Sequence, residues 1–106
     1  MARKTTAQQL KKVLSPEHYG YVREWKDKGK VLRAQIIKRV AHAEKNFPQI
    51  NTVDLIEFVD FGQREIRFGY YTKDRNGKWL WGQYCPCYPK GDLKILLRKA
   101  KVAGIL

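Results

Sequence analysis

The sequence predicts an α+β domain in which two or three N-terminal helices precede a three-stranded antiparallel β-meander and a C-terminal helix. Three observations predict this order. Apolar residues recur every three or four positions up to about residue 46, alternate between residues 54 and 85, and return to the helical period after residue 91. The 106 residues, of which 43% are hydrophobic, suffice for one small basic domain over 1–106.

The predicted N-terminal helices are separated by residues that start or stop helices. A first helix is predicted over about residues 6–14, a second over 16–28 and a third over 31–46. Ser15-Pro16 opens the second helix, because serine caps a helix and proline suits its first position. Gly29 is expected to end the second helix before the third begins, which gives three N-terminal helices. If the second and third helices continue as one, there are two.

The predicted meander consists of residues 54–61 and a hairpin within residues 65–85. Val, Ile, Tyr, Phe and Trp dominate the hairpin, and these residues suit a pleated, half-buried surface. Its turn is predicted at Asp74-Arg75-Asn76-Gly77, because Asn-Gly tolerates positive φ angles. Four turn residues would pair Tyr70 with Trp81 and would set Gly69 opposite Gly82.

This register gives the hairpin two unequal faces. The heavier face carries Phe68, Tyr70, Trp79 and Trp81, and we expect it to lie on the core. The other face dips at its two glycines, which marks the close approach of a packed helix or of a ligand. In the second case the dip is a groove whose walls are Arg67, Tyr71 and Tyr84.

The last helix is predicted from Asp92, its N-terminal cap, to Gly104, a favourable residue just after a helix. Three helices followed by a basic hairpin are also typical of a winged-helix domain, in which the third helix enters the major groove of DNA. A winged-helix-like arrangement is therefore the alternative fold.

The net charge of +12 is large for a chain of this length, and the first fifty residues hold twelve basic against four acidic side chains. Such an excess attracts polyanions and accelerates their capture. No apolar run approaches the roughly 20 residues of a membrane span. No apolar stretch near Met1 resembles a secretory signal. We therefore expect a cytoplasmic protein with no membrane contact.

The residue types used in metal and nucleophilic sites do not occur in the usual patterns. Cys85 and Cys87 are too close for the common zinc spacing, and His18 and His42 stand alone. Ser15 is better explained as a helix cap. We therefore expect no metal and no cofactor.

One enzyme class stays open. Asp54, Glu57, Asp60 and Glu65 lie on or near neighbouring predicted strands, and paired carboxylates can hold Mg²⁺ for phosphodiester cleavage. Acidic residues on a solvated face give the same pattern, so we expect no enzyme and keep a metal-dependent nuclease as the alternative.

Basic and aromatic residues together favour non-catalytic nucleic-acid binding, because phosphates need Lys and Arg and unpaired bases stack on flat side chains. The rival class is a protein-interaction module, such as a small accessory or inhibitor protein that uses a basic or aromatic face. The type of nucleic acid stays open. The predicted contact residues are Arg33, Lys38, Arg39, Arg67, Tyr71, Lys73, Arg75, Lys78 and Tyr84.

Overall fold

A five-stranded antiparallel sheet with the strand order β1-β2-β3-β4-β5 forms the centre of the computed structural model, which describes residues 5–83 and 87–106. Each strand pairs with the next one along the chain, so the sheet is a simple meander. The elements are α1 (Thr6–Val13), α2 (Pro16–Tyr19), β1 (Val22–Asp27), β2 (Lys30–Ala43), β3 (Gln49–Phe58), β4 (Arg64–Lys73), β5 (Trp79–Gly82) and α3 (Lys90–Val102).

The predicted order of elements is wrong, although the coarser expectation of an α+β protein with an antiparallel sheet is confirmed. Residues 22–43 form two strands of the sheet instead of the predicted second and third helices. Lys28 and Gly29, with φ of 51° and 80°, make the two-residue turn between them. The winged-helix alternative fails for the same reason, because its recognition helix is absent from the described residues.

β2 resembles a helix in sequence because its apolar residues recur at 32, 36, 40 and 43, close to the helical period, although the backbone is extended and contains a β-bulge. The pairing with β3 shifts by one residue between Ile36 and Lys38. The inserted residue changes which face each later side chain occupies. Val40 consequently packs with Val53 beneath α3, whereas Ala43 packs with Ile50 beneath α1, so these apolar residues do not share one face.

The sheet curls into a half-barrel with one helical layer on each side. We call the face that holds Arg39, Ile50 and Asp54 the concave face, and the opposite one the convex face. On the concave face α1 covers one end, where Val13 packs on Ile50 and its neighbours. On the convex face α3 packs through Leu96 and Ala100, which are buried. The other end of the concave face has no helix over it among the described residues.

The register of the second hairpin also differs from the prediction. Tyr71 pairs with Trp81 and Tyr70 with Gly82, one residue away from the predicted pairs. The turn takes five residues, 74–78, because Lys73 pairs with Trp79, and within it the backbone N–H of Asp74 donates to the Lys78 carbonyl at 2.8 Å. Trp79 and Trp81 therefore lie on the concave face rather than beside Phe68 and Tyr70.

The two glycines of this hairpin consequently do not face each other. Gly69 points to the concave face, where the Trp81 ring covers it. Gly82 points to the convex face, where the Tyr70 ring covers it. Each glycine thus accommodates an aromatic ring of the paired strand, which is a known way to compensate glycine in a sheet. Within the described residues no helix is long and apolar enough to cross a membrane.

Candidate functional site

A cleft of about 780 Å³ occupies the part of the concave face that α1 leaves uncovered. Residues of all five strands line it, since the curl of the sheet brings β1 and β5 towards each other across β3. Most of the lining side chains are arginines or aromatic rings. The lining residues are His18, Tyr21, Arg23, Glu24, Trp25, Arg39, Ile56, Phe58, Arg67, Tyr71, Trp81 and Gln83.

A buried ion network forms the floor of the cleft. The Asp54 carboxylate, fully buried, accepts hydrogen bonds from Arg39 Nε at 2.7 Å and Nη2 at 3.1 Å. It also accepts one from Arg67 Nη2 at 3.0 Å. One carboxylate therefore serves two guanidiniums, and the network keeps a net positive charge.

Arg39 is the best-fixed member of this network. Its Nη1 donates to the Tyr71 hydroxyl at 2.9 Å and to the Val13 carbonyl at the end of α1 at 3.3 Å. Burial opposes the charged form of Arg39, but the hydrogen bond and negative charge of Asp54 outweigh it, so the pKa of Arg39 lies above its ordinary value. Arg39 thus joins the helical layer to the sheet.

Trp81 lies among the cations of the floor. The Arg67 guanidinium stands 4.9 Å from the centre of its ring and that of Arg39 5.3 Å. Arg67 Nε is buried and has no hydrogen-bond partner among the described residues, so the ring face is the main contact on that side. Tyr71 packs against the same indole with the ring planes tilted by 58° and 4.9 Å between ring centres. Such cation–π contacts hold the guanidiniums in place without neutralising them.

Arg23 on β1 is a third cation, and no carboxylate bonds to it within 5–83 and 87–106. Its Nη1 donates to the carbonyls of Tyr19 at 2.8 Å and Tyr21 at 3.2 Å, and the guanidinium lies 4.0 Å over the Tyr21 ring. Burial lowers the pKa of Arg23, and the positive charges of Arg67 and Arg39 lower it further. The cleft therefore has an excess of positive charge that an anion would relieve.

Open aromatic rings stand at the mouth of the cleft. Trp25 is 42% exposed, and its ring lies 6.1 Å from that of Phe58. Phe58 stacks on Phe61 with 5.2 Å between ring centres, and Phe61 is 59% exposed. Trp25 and Phe61 therefore keep much of their ring surface open to solvent beside the arginines, which is an arrangement suited to flat ligands with negative groups.

The predicted contact residues Arg33, Lys38 and Arg39 do not form one surface. The three residues lie on β2 rather than on a helix, and only Arg39 reaches the cleft, where it is buried. Arg33 is bound to the carboxylate of Asp60. Lys38 Nζ donates to the Ala103 carbonyl behind α3 at 2.8 Å.

The predicted residues of the hairpin separate into two groups. Arg67 and Tyr71 line the cleft. Lys73 is outside it, with Nζ 5.8 Å from the Trp79 ring centre. Arg75 and Lys78 are exposed in the β4–β5 turn, at the end of the sheet away from the cleft. The remaining predicted residue, Tyr84, lies outside the described residues, as does Cys85.

Sequence reasoning missed Arg23, Trp25, Phe58 and Trp81 as site residues. Arg23 and Trp25 fell within a predicted helix, because Val22 and Trp25 are three residues apart and no apolar alternation marks β1 in the sequence. Trp81 was placed on the opposite face by the register error. The correct turn length would have set it beside Tyr71.

The acidic residues considered for a nuclease site are dispersed. Asp54 belongs to the ion network, Glu57 pairs with Arg64 at 3.6 Å, and Asp60 pairs with Arg33. Glu65 accepts a hydrogen bond from Gln63. Across the described part of the chain no group of three or more His, Cys, Asp or Glu is placed to hold a metal ion.

No family model, no curated protein and no solved structure matches this chain. The cleft's chemistry is therefore the basis for any functional conclusion.

Proposed function

We propose that the protein binds single-stranded nucleic acid without catalysing a reaction on it, and that the cleft is the contact surface. The observation that carries this proposal is that arginine guanidiniums and open aromatic rings share one cleft. A nucleotide is a flat base joined to an anion, and these two features of the cleft match its two parts.

The guanidinium of Arg23 is the best candidate for contact with a phosphate. Its charge is not neutralised by a bonded carboxylate among the described residues, and its other cationic neighbours are Arg39 and Arg67. Arginine donates in a planar fork that matches phosphate oxygens, and hydrogen bonds between two charged groups are the stronger class. A bound phosphate would also relieve the repulsion among the three arginines.

Trp25 and Phe58 supply the surface for a base. Stacking of one base on an aromatic side chain is worth about 1–3 kcal/mol and requires no particular base, which suits sequence-tolerant binding. Trp25 keeps 42% of its surface exposed beside Arg23, so base and phosphate of one nucleotide would have neighbouring partners.

The size of the cleft favours an unpaired strand. Its volume of about 780 Å³ lies in the range of pockets for small organic ligands. Bases inside a duplex are stacked on each other and cannot meet the rings. The exposed lysines at 26, 28 and 30, near the cleft at the β1–β2 turn, would attract the approaching strand.

The proposal is tested by titrating fluorescently labelled dT and U oligomers and a DNA duplex against the protein at several salt concentrations. Two variants probe the cleft: Arg23→Gln removes the cation and Trp25→Leu removes the stacking surface. We expect each to weaken single-strand binding about tenfold, because a charge-assisted hydrogen bond and a stacked base are each worth more than about 1 kcal/mol. Arg23→Gln should also reduce the slope of log affinity against log salt by about 0.7.

Arg98→Gln is the matched control, because it removes the same charge from the exposed surface of α3 on the convex face. It should change affinity much less than Arg23→Gln does. Duplex binding as tight as single-strand binding, or equal effects of the two arginine variants, would contradict the proposal and would indicate attraction by net charge alone. Circular dichroism confirms that each variant remains folded.

A further inference from the structure

The first strand, β1, forms one edge of the sheet, and its outer side pairs with no strand among the described residues. Five of its six residues are exposed. Proteins usually protect such an edge with charged side chains, with proline or with a covering element. The β1 sequence Val-Arg-Glu-Trp-Lys-Asp carries both signs of charge in alternate order, so a second copy in the right register can meet each charge with the opposite one.

The outward-facing residues of β1 follow from its turn. Lys28 and Gly29 make a two-residue turn, so Asp27 and Lys30 close it as a hydrogen-bonded pair. Hydrogen bonding to β2 then falls on every second residue of β1. The backbone groups of Val22, Glu24 and Lys26 therefore point away from the sheet, where another strand could pair with them.

We propose that this edge binds a second copy of the chain, β1 against β1 in antiparallel order, about a two-fold axis that passes beside Trp25. In this register Glu24 of each copy faces Lys26 of the other, twice by symmetry. Both residues have outward-facing backbone groups, so each pair can exchange both of its backbone hydrogen bonds. Arg23 of each copy lies opposite Asp27 of the other on the concave side, but it keeps its bonds to the Tyr19 and Tyr21 carbonyls and its place in the cleft of its own copy.

Other registers are less favourable. An axis at Glu24 would place the two Glu24 side chains opposite each other, and an axis at Lys26 would do the same for two lysines; like charges in such positions are destabilising. If the axis lay halfway between two residues, each outward-facing residue of one copy would lie opposite a residue of the other copy whose backbone groups are already bonded to β2. Only the axis at Trp25 satisfies both the hydrogen bonds and the charges.

The proposed pairing would join two clefts. Trp25 stands at the cleft mouth and would lie beside Trp25 of the second copy at the axis. The two concave faces would form one continuous ten-stranded surface. The pairing itself follows from the edge and does not rest on the proposed nucleic-acid binding.

The test uses charge exchange between two variants, followed by sedimentation velocity over a range of protein concentrations. A salt concentration near 0.3 M reduces the long-range repulsion between two chains of charge +12. Glu24→Lys places lysines opposite lysines in a homodimer, and Lys26→Glu places glutamates opposite glutamates. We expect each variant alone to raise the dimer dissociation constant about tenfold or more, since two cross-strand pairs change from attractive to repulsive.

An equimolar mixture of the two variants is the decisive sample. Every lysine of one variant then faces a glutamate of the other, so the mixture should recover dimers at wild-type strength. The double variant Glu24→Lys, Lys26→Glu should recover them as well. The matched controls Glu17→Lys and Lys94→Glu, which change the same charges on the exposed surfaces of α2 and α3, should leave the dimer unaffected.

Two results would overturn the inference. One is a wild-type protein that stays monomeric at several hundred micromolar in 0.3 M salt. The other is a wild-type dimer whose strength the mixture of variants does not recover, because that dimer must use another surface. Either result leaves the single-strand titration to decide the function of the cleft separately.

Discussion

The indole of Trp81 lies directly over the backbone of Gly69 on the neighbouring strand. A methyl group at Gly69 would stand 2.0 Å from Cη2 and 2.6 Å from Cζ2 of this ring. Both distances are far shorter than a van der Waals contact, so no residue with a side chain permits this ring position. The ring in turn contacts the guanidiniums of Arg39 and Arg67. The absence of a side chain at residue 69 therefore shapes the floor of the cleft.

Gly69→Ala should consequently destabilise the protein and disturb the cleft. The added methyl group displaces the Trp81 ring from both arginines, and overpacking of this kind costs about 1–3 kcal/mol. Urea denaturation measures the loss of unfolding free energy, and the titration with dT oligomers measures the loss of affinity.

Gly82→Ala is the control for this substitution. A methyl group there would stand 2.4 Å from Cε2 of Tyr70, on the convex face. We expect a similar loss of stability, because the overlap is similar, but a much smaller loss of oligomer affinity in the folded protein. Equal losses of affinity in the two variants would show that the Trp81 ring position does not matter for binding.

Two local features separate the predicted fold from the observed one. In β2 the residues Leu32, Ile36, Val40 and Ala43 follow the helical period although they lie on both faces of a strand, and one extra residue in the turn at 74–78 moves Trp81 to the other face of the sheet. In a strand, successive side chains point to opposite faces of the sheet, so one inserted residue moves every later side chain to the other face. The pattern at Leu96 and Ala100 has no such interruption, and the C-terminal helix was predicted, although it begins at Lys90 with Pro89 as its N-cap and not at Asp92.

The register of the strands also determines which residues of the site could be predicted from the sequence. Arg67 and Tyr71 lie on β4 before the turn, so the register error did not affect their shared face, and both line the cleft. The predicted floor of two facing glycines is wrong, because the Trp81 ring covers Gly69 and Gly82 lies on the other face. Arg23 and Trp25 required the recognition of β1 as a strand. The burial of Arg39 could not be predicted from its sequence neighbours, because its partner Asp54 lies on another strand.

Asp54→Asn should be among the most destabilising single substitutions in the protein. It leaves the guanidiniums of Arg39 and Arg67 without their shared carboxylate, and Arg39 is buried. Breaking a buried ion pair by removal of one partner costs about 3–5 kcal/mol. Urea denaturation measures this cost.

Asp60→Asn, which removes the carboxylate of an exposed pair, is the control and should have a far smaller effect on the unfolding free energy. Similar effects of the two would contradict the importance of the buried network.

The five-residue turn of the second hairpin should depend on Asp74. Its Oδ1 accepts hydrogen bonds from the backbone N–H groups of Asn76 at 2.9 Å and Lys78 at 2.8 Å. Asp74→Ala removes both, with an expected loss of unfolding free energy of about 1–2 kcal/mol.

Gly77→Ala should cost about 1 kcal/mol of unfolding free energy, because Gly77 has φ of 80°. Thermal unfolding measures both, and Arg75→Ala, an exposed turn residue, is the control. An unchanged melting temperature in Asp74→Ala would show that the two hydrogen bonds to the Asp74 side chain do not stabilise the turn.

The exposed pair of Arg33 and Asp60 should be detectable in the titration of Asp60. The hydrogen bond and positive charge of Arg33 hold the pKa of Asp60 below its ordinary value of 3.8. The folded protein thus binds this proton less readily than the unfolded chain. The stabilising contribution of the pair is complete above the unfolded pKa, and it is lost as the pH falls through the folded pKa.

Carboxyl NMR measures this pKa directly in the folded protein. In Arg33→Gln the pKa of Asp60 should rise towards 3.8, whereas Lys30→Gln, which removes an exposed charge from the same strand, should leave it lower. The shift in the wild-type protein should diminish in high salt, because both side chains are exposed and salt screens them. A pKa of Asp60 that is the same with and without Arg33 would show that the pair does not persist in solution. Arg33 would then be available to a polyanion, as first predicted from the sequence.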